Sequence, residues 1–217
     1  MEIKTKIKYG NLKKAIKALS QHVTVKVGLL ANTPGVKGYK GSDSVLENMD
    51  IAGLGAVHEF GAEIDHPGGT PYFINEWGMA TFVKKDSFYG QLLIQRGQIT
   101  KPHHISIPAR PWLSMPLQRN NGADLRKRFA KETGGFDGQF VDDLLFVAED
   151  PKKIAHEIGT ILGVVAQDQI LEAFETGGFG EWQPDAPATI AKKGSEDPLI
   201  DKGRLKGAVT FEVEGNG

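Results

Sequence analysis

Hydrophobic spacing is clearest between residues 150 and 205. Ile154, Ile158, Ile161, Leu162 and Val165 recur at helical intervals, and Ala166, Ile170, Ala173 and Phe174 carry the apolar arc round the cylinder. Asp150 is placed to cap this helix, Pro151 suits its first position, and Gly177-Gly178 after Thr176 supply the stop. A rod of about 25 residues is roughly 36 Å long at ~1.5 Å per residue. Gly159 and Gly163, four apart, allow another backbone to approach. Lys152 and Lys153 begin the helix and Glu172 and Glu175 end it, so both termini carry charge that opposes the helix dipole. Packing must therefore hold it.

Elsewhere the pattern changes period. Ile3, Thr5 and Ile7 alternate with charged neighbours, predicting a short strand over Glu2–Lys8. Asn11 caps a helix running to Ser20, with Lys13, Lys14 and Lys17 on its solvated face. His22–Ala31 is rich in β-branched residues and reads as a strand, Asn32–Asp50 as a loop, and Ile51–Phe60 as a short helix. Residues 61–108 hold β-like pieces at Pro71–Ile74, Thr81–Lys84, Gln91–Ile94 and His104–Ile107, separated by turn residues. Pro111–Lys131 is helical with a break at Asn120-Asn121-Gly122. Gly134–Asp150 is a loop with an amphipathic patch at Phe140–Phe146. Asp201–Lys206 forms a helical turn, with Asp201 as its cap, and Ala208–Val213 a final strand.

These elements describe an α+β fold, a small mostly antiparallel sheet on one or two long helices. Residues 1–60 and 108–217 form a single core domain, and 61–107 an inserted β-hairpin arm. An insertion of that length usually serves binding or closes over a site.

Composition narrows the chemistry. The 217 residues carry a formal net charge of −1, which gives no strong basic footprint for nucleic acid. There is no cysteine, which removes disulfides, thiolate catalysis and cysteine-based zinc sites together. The N-terminal MEIKTKIKYG is too charged for a signal peptide, and the longest apolar run is too short to span a bilayer, so no membrane is expected.

Candidate chemistry is sparse. His58, His66, His103 and His104, with Glu59 and Asp65, are the residue types of a metal-dependent hydrolase. Their spacing is poor: His58 and Glu59 point to different helix sides, and His103 and His104 to opposite faces of a strand. His156-Glu157 is followed by Thr160 where HExxH needs histidine. Gly53-Leu54-Gly55 lacks the third glycine and acidic partner of a dinucleotide loop, and no G-x-S-x-G is present. Arg126, Lys127, Arg128 and Lys131 form a basic cluster that, with the lysines near the N-terminus, suits a DNA-binding accessory factor. Trp182, within the Gly177–Pro187 ribbon, reads either as an anchor docking on a partner or as a ring folded back on its own helix.

Two separated passages carry a family resemblance. One is His58-Glu59-Phe60-Gly61 followed by Ile107-Pro108-Ala109-Arg110-Pro111-Trp112-Leu113. The other runs from Phe174 through Gly177-Gly178, Trp182-Gln183-Pro184, Thr189 and Lys193-Gly194-Ser195 to Pro198-Leu199-Ile200-Asp201-Lys202-Gly203-Arg204-Leu205. In this order they resemble the virion morphogenesis (tail-completion or neck) proteins of Mu-like tailed bacteriophages. The chain departs from that pattern at Lys202, at Asp185 and in the lengthened interval between the two halves of the first passage.

The resemblance implies a non-enzymatic structural protein of the virion neck or tail, made in the host cytoplasm, without cofactor or metal. It implies a sixfold or twelvefold homo-oligomeric ring joining head to tail. The ring would meet neighbouring head–tail connector, tail terminator or tail tube proteins, with genomic DNA possible in its lumen. On this reading Glu59, Arg110 and Trp112 make a structural corner, Arg110 pairing with Glu59. Trp182, Phe179 and Pro184, with Tyr72, Phe73 and Trp77 of the arm, face partners. Loops Asn32–Asp50, Gly61–Pro108 and Gly177–Asp197 would order on assembly.

Overall fold

In the computed structural model, residues 13, 14, 16–18, 20–31, 50–147 and 150–215 are described. The expected strand Glu2–Lys8 and most of the loop Asn32–Asp50 lie outside them. The fold is α+β, with 48% of the described residues helical and 17% in strands.

Its centre is α6, Pro151–Glu175, and the two strands laid across it, β1 (Val23–Gly28) and β6 (Thr210–Gly215). Asp150 caps α6 by accepting from the Lys152 N–H at 3.0 Å, and Pro151 sits in the first turn. β1 and β6 pair antiparallel, Val25 opposite Val213 and Val27 opposite Phe211. Gly159 and Gly163 do admit a close approach, but by sheet side chains rather than a backbone. A Cβ on Gly159 would stand 2.8 Å from Val213 Cγ1, and one on Gly163 2.2 Å from Phe211 Cδ2. The opposing charge at the end of α6 is met by tertiary partners: Arg128 bonds Glu172, and Lys206 bonds Glu175 at 2.8 Å.

The core lies at the C-terminal half of α6. Ile170, Ala173 and Phe174 pack with Ile51, Trp112, Trp182, Leu205 and Val209. Those partners come from α1 (Ile51–Phe60), the turn just before Ser114, the loop after α6, and α8 (Arg204–Gly207) with the residues that follow it. Asp50 caps α1, accepting from Gly53 N–H at 2.7 Å.

The stretch between Gly61 and Pro108 starts and ends as one ribbon. β2 (Ala62–His66) pairs antiparallel with β5 (His103–Ile107), Ala62 opposite Ile107. Beyond it lie a second two-stranded sheet, β3 (Tyr72–Ile74) with β4 (Ala80–Phe82), and helix α2 (Phe88–Gln95). The expected strand Gln91–Ile94 is thus helical. Ser87 accepts from Gly90 N–H at 3.0 Å, and this N-cap decides between helix and strand for an apolar run that periodicity leaves ambiguous. β2 itself has one strongly apolar position, Ile64, and shows no clear strand signal in the sequence.

Helix α3 (Ser114–Gln118) starts later than Pro111, and the break at Asn120-Asn121-Gly122 is real. Asn120 and Asn121 take φ values of 51° and 55°, left-handed geometry that asparagine tolerates, before α4 (Ala123–Glu132) resumes. The expected loop Gly134–Asp150 contains a helix, α5 (Gly138–Val147), because its amphipathic patch extends far enough to pack on α6. In the Gly177–Asp197 ribbon, α7 (Pro187–Lys193) forms with Pro187 in its first turn. The cap of α8 is Gly203 in left-handed geometry rather than Asp201. Among the described residues, no helix is long and apolar enough to cross a membrane.

Candidate functional site

Two places collect the residues singled out by sequence: a buried corner where distant passages meet, and the apolar surface of the arm. The corner begins at the end of α1, where Gly61 turns the chain at φ 76°. A Cβ there would meet Ile107 O at 2.9 Å, so glycine lets the two ends of the arm close together.

Glu59 is buried, and its carboxylate accepts from Leu113 N–H at 2.9 Å and Ser114 N–H at 3.0 Å. An anion thereby satisfies the free donors at the start of α3, where the helix dipole favours negative charge. The expected Glu59–Arg110 pair does not form, because each group finds a nearer requirement. The Arg110 backbone N–H donates to His58 O at 2.7 Å, while its guanidinium donates to Gln183 O at 2.8 Å and Pro184 O at 3.0 Å. The same group bonds Asp185 at 3.0 Å, and the other Asp185 oxygen lies 2.6 Å from Lys193 Nζ. Side-chain exposures of 6%, 9% and 9% make Arg110, Asp185 and Lys193 a buried ion triad. Neither Asp185 nor Lys193 is among the site residues the sequence points to: Asp185 stands out only as a charged residue after Trp-Gln-Pro, and Lys193 only within the Lys193-Gly194-Ser195 passage.

Trp112 completes the corner. Its indole N–H donates to Gly55 O at 2.8 Å, and its ring lies 5.9 Å from Phe174. Gly55 has to be small: a Cβ would stand 2.8 Å from Leu29 Cδ1 and 3.1 Å from the Trp112 ring. Trp182 is not presented to a partner. It is buried edge-on against Phe174, ring centroids 5.7 Å apart, which is the folded-back alternative. Its neighbour Phe179 is half-buried beneath Arg119, whose guanidinium sits 4.1 Å from the ring. Pro184 is exposed, with its carbonyl engaged by Arg110. The Gly177–Asp197 segment is therefore stitched to the core through Asp185, Lys193 and Trp182.

His58 lies beside this triad. Burial, reinforced by the Arg110 charge and opposed by Asp185, holds its pKa below the ordinary value, and its Nδ1 has no partner among the described residues. The other histidines are at the far end of the β2–β5 ribbon. His66 and His103 stack at 4.9 Å on one face. On the other, His104 bonds Asp65 at 2.8 Å and Glu63 at 2.6 Å, and Ser106 Oγ donates to Glu63 at 2.7 Å. These bonds, Asp65 first and then Glu63, raise the His104 pKa; Ser106 and then His104 lower that of Glu63. The strand alternation that separates His103 from His104 is as the sequence indicates. Among the described residues, no group of three or more histidine, aspartate or glutamate side chains is arranged to hold a metal ion. In the basic cluster, Arg126, Lys127 and Lys131 are exposed and Arg128 is tied to Glu172.

The arm's surface is the second place. Phe73 and Thr81 share one face of the β3–β4 sheet, and Phe73 packs edge-on against Tyr89 of α2 at 5.7 Å. The opposite face carries Tyr72, Ile74, Ala80 and Phe82, with Tyr72 and Phe82 6.4 Å apart. Ile74 is 58% exposed, Phe82 63%, and Trp77 in the connecting turn 73%. Of the twelve large apolar side chains left exposed among the described residues, eight fall between Ile64 and Ile99, so the apolar surface is concentrated on this arm rather than scattered. Of the expected partner-facing aromatics, Trp77 is open to solvent, and Tyr72 and Phe73 are half-buried within the arm.

No protein-family description, no curated protein and no solved structure matches this chain.

Proposed function

We propose that this chain is a structural virion protein of a tailed bacteriophage, acting at the head–tail junction or tail end as a ring-forming completion component. The observation that supports the reading is the convergence of its motif passages. His58–Gly61, Ala109–Leu113 and Trp182–Lys193 meet in one corner whose polar groups hold the chain to itself: Glu59 on the start of α3, Arg110 on residues 183–185, Trp112 on Gly55. Residues spent in this way make a rigid subunit body, and the apolar arm beside it is the kind of surface a neighbouring connector, terminator or tube protein would cover. Electron microscopy of particles assembled without the protein tests this. Full tailless heads together with free tails are expected; intact virions would remove the joining role.

A further inference from the structure

We propose that residues 180–198 form a strained strap, held shut on the core by the Arg110–Asp185–Lys193 triad, and that a proton gained by His58 opens it. Neither part depends on a role in joining head to tail.

The strap begins and ends in unfavourable backbone. Phe179 takes a φ of 56° and Leu199 a φ of 63°, left-handed geometry that bulky side chains rarely adopt. Such residues persist only where their surroundings impose the conformation. Here the core imposes it: both side chains pack against the cluster around Phe174, and Arg119 lies over the Phe179 ring. Between these two points the strap's buried anchor is Trp182.

The other fastening is ionic. Arg110 donates to Gln183 O and Pro184 O and bonds Asp185, whose second oxygen meets Lys193. The triad holds two cations and one anion, so a single carboxylate already serves two positive groups. Lifting the strap returns Asp185 and Lys193 to water and lets both left-handed residues relax.

His58 stands where a third cation does most harm. It lies on α1, and its carbonyl accepts from the Arg110 N–H at 2.7 Å. The charges acting on its ring are Arg110 and Asp185, with Lys193 bonded to Asp185 behind them. Glu59, next to it on α1, is committed to the N–H groups of Leu113 and Ser114. Helix α8, which packs on α1, adds Arg204 and Lys206, the latter bonded to Glu175. A protonated His58 would therefore compete with Arg110 and Lys193 for Asp185. Burial, then the Arg110 charge, hold its pKa below the ordinary value while the strap is shut. Once the strap lifts and water reaches the ring, the proton binds near the usual value of about 6.5. Acid thus favours the open form, by up to about tenfold per pH unit below that value, for one proton taken up.

Fluorine NMR of protein carrying 5-fluorotryptophan tests this, because the three tryptophans report separately: Trp77 in the arm, Trp112 in the body and Trp182 in the strap. As pH falls from about 7.5 to about 5, across the ordinary histidine range, the Trp182 signal should move to a solvent-exposed position while Trp112 stays buried. His58→Leu and His58→Gln, neutral at every pH, should each hold Trp182 in place, and the pair guards against one of them failing to fold. His104→Gln should respond as the wild type does. Trp112 moving together with Trp182 would mean that the segment opens only with the body, which overturns the strap. An undiminished acid response in a folded His58 variant would assign the proton to another group, Asp185 first. A Trp182 signal that stays fixed down to pH about 5 would show that the shut form tolerates the charge. Either result overturns His58 as the trigger.

Discussion

At the scale of single residues, the corner's behaviour follows from charges removed from water. Arg110, Asp185 and Lys193 compensate one another, and breaking such a set by removing one member is costly, whereas replacing all of it by apolar side chains is often neutral. Arg110→Met should therefore lower stability by about 3–5 kcal/mol in urea denaturation. Adding Asp185→Leu and Lys193→Met should recover most of that loss, and additive losses would refute the triad. The histidines give a second residue-scale expectation, with opposite signs. His58 resists its proton when folded, so below pH about 6.5 the unfolded chain binds a proton that the folded chain refuses. Its contribution to stability is present above that pH and is lost as pH falls, and His58→Leu should flatten the acid limb. His104 holds its proton more tightly when folded, so its contribution is present below pH about 6.5 and is lost as pH rises through the elevated value. Histidine resonances followed by NMR should show one midpoint displaced downward and one upward; a common midpoint would contradict both environments.

Elements were legible where a local signal agreed with the tertiary outcome. The cap at Asp150, the proline after it and the paired glycines at 177 and 178 fixed α6 to the residue, and Asn120-Asn121-Gly122 marked the break before α4. Other elements depended on contacts the sequence does not display. β2 forms because β5 lies beside it, and α5 because α6 receives its apolar face. At the site, HEFG and the Arg-Pro-Trp-Leu passage pointed to a corner, but its wiring was hidden: which carboxylate meets Arg110 is settled by a loop seventy-odd residues away. Trp182 shows the same limit, since an aromatic among glycines and prolines has no pattern to say whether its ring turns inward. For the strut itself the close packing gives a clear expectation. Gly163→Ala gains about 1 kcal/mol of helix propensity, but its Cβ would sit 2.2 Å from the Phe211 ring. Overpacking of about 1–3 kcal/mol should win, giving a net loss in thermal or chemical unfolding. Phe211→Leu in the same chain should restore the balance, and an outright gain from Gly163→Ala alone would show that the sheet yields more than its contacts suggest.

For the whole molecule, the division of labour is between a body whose corner turns its charged groups onto the chain itself and an arm that leaves apolar side chains uncovered. The particle-level experiment proposed above belongs to this scale, because joining head to tail is not a property of one side chain.

The closure of the arm at Ala62 and Ile107 has a further implication. The chain leaves the body and returns to it at neighbouring strand positions, with Gly61 admitting the return strand. To the body, everything between those positions is a detour with fixed ends. Its length and its tip are then free to diverge without disturbing α6 or the corner, so related chains could exchange this cassette whole, and with it their choice of neighbour.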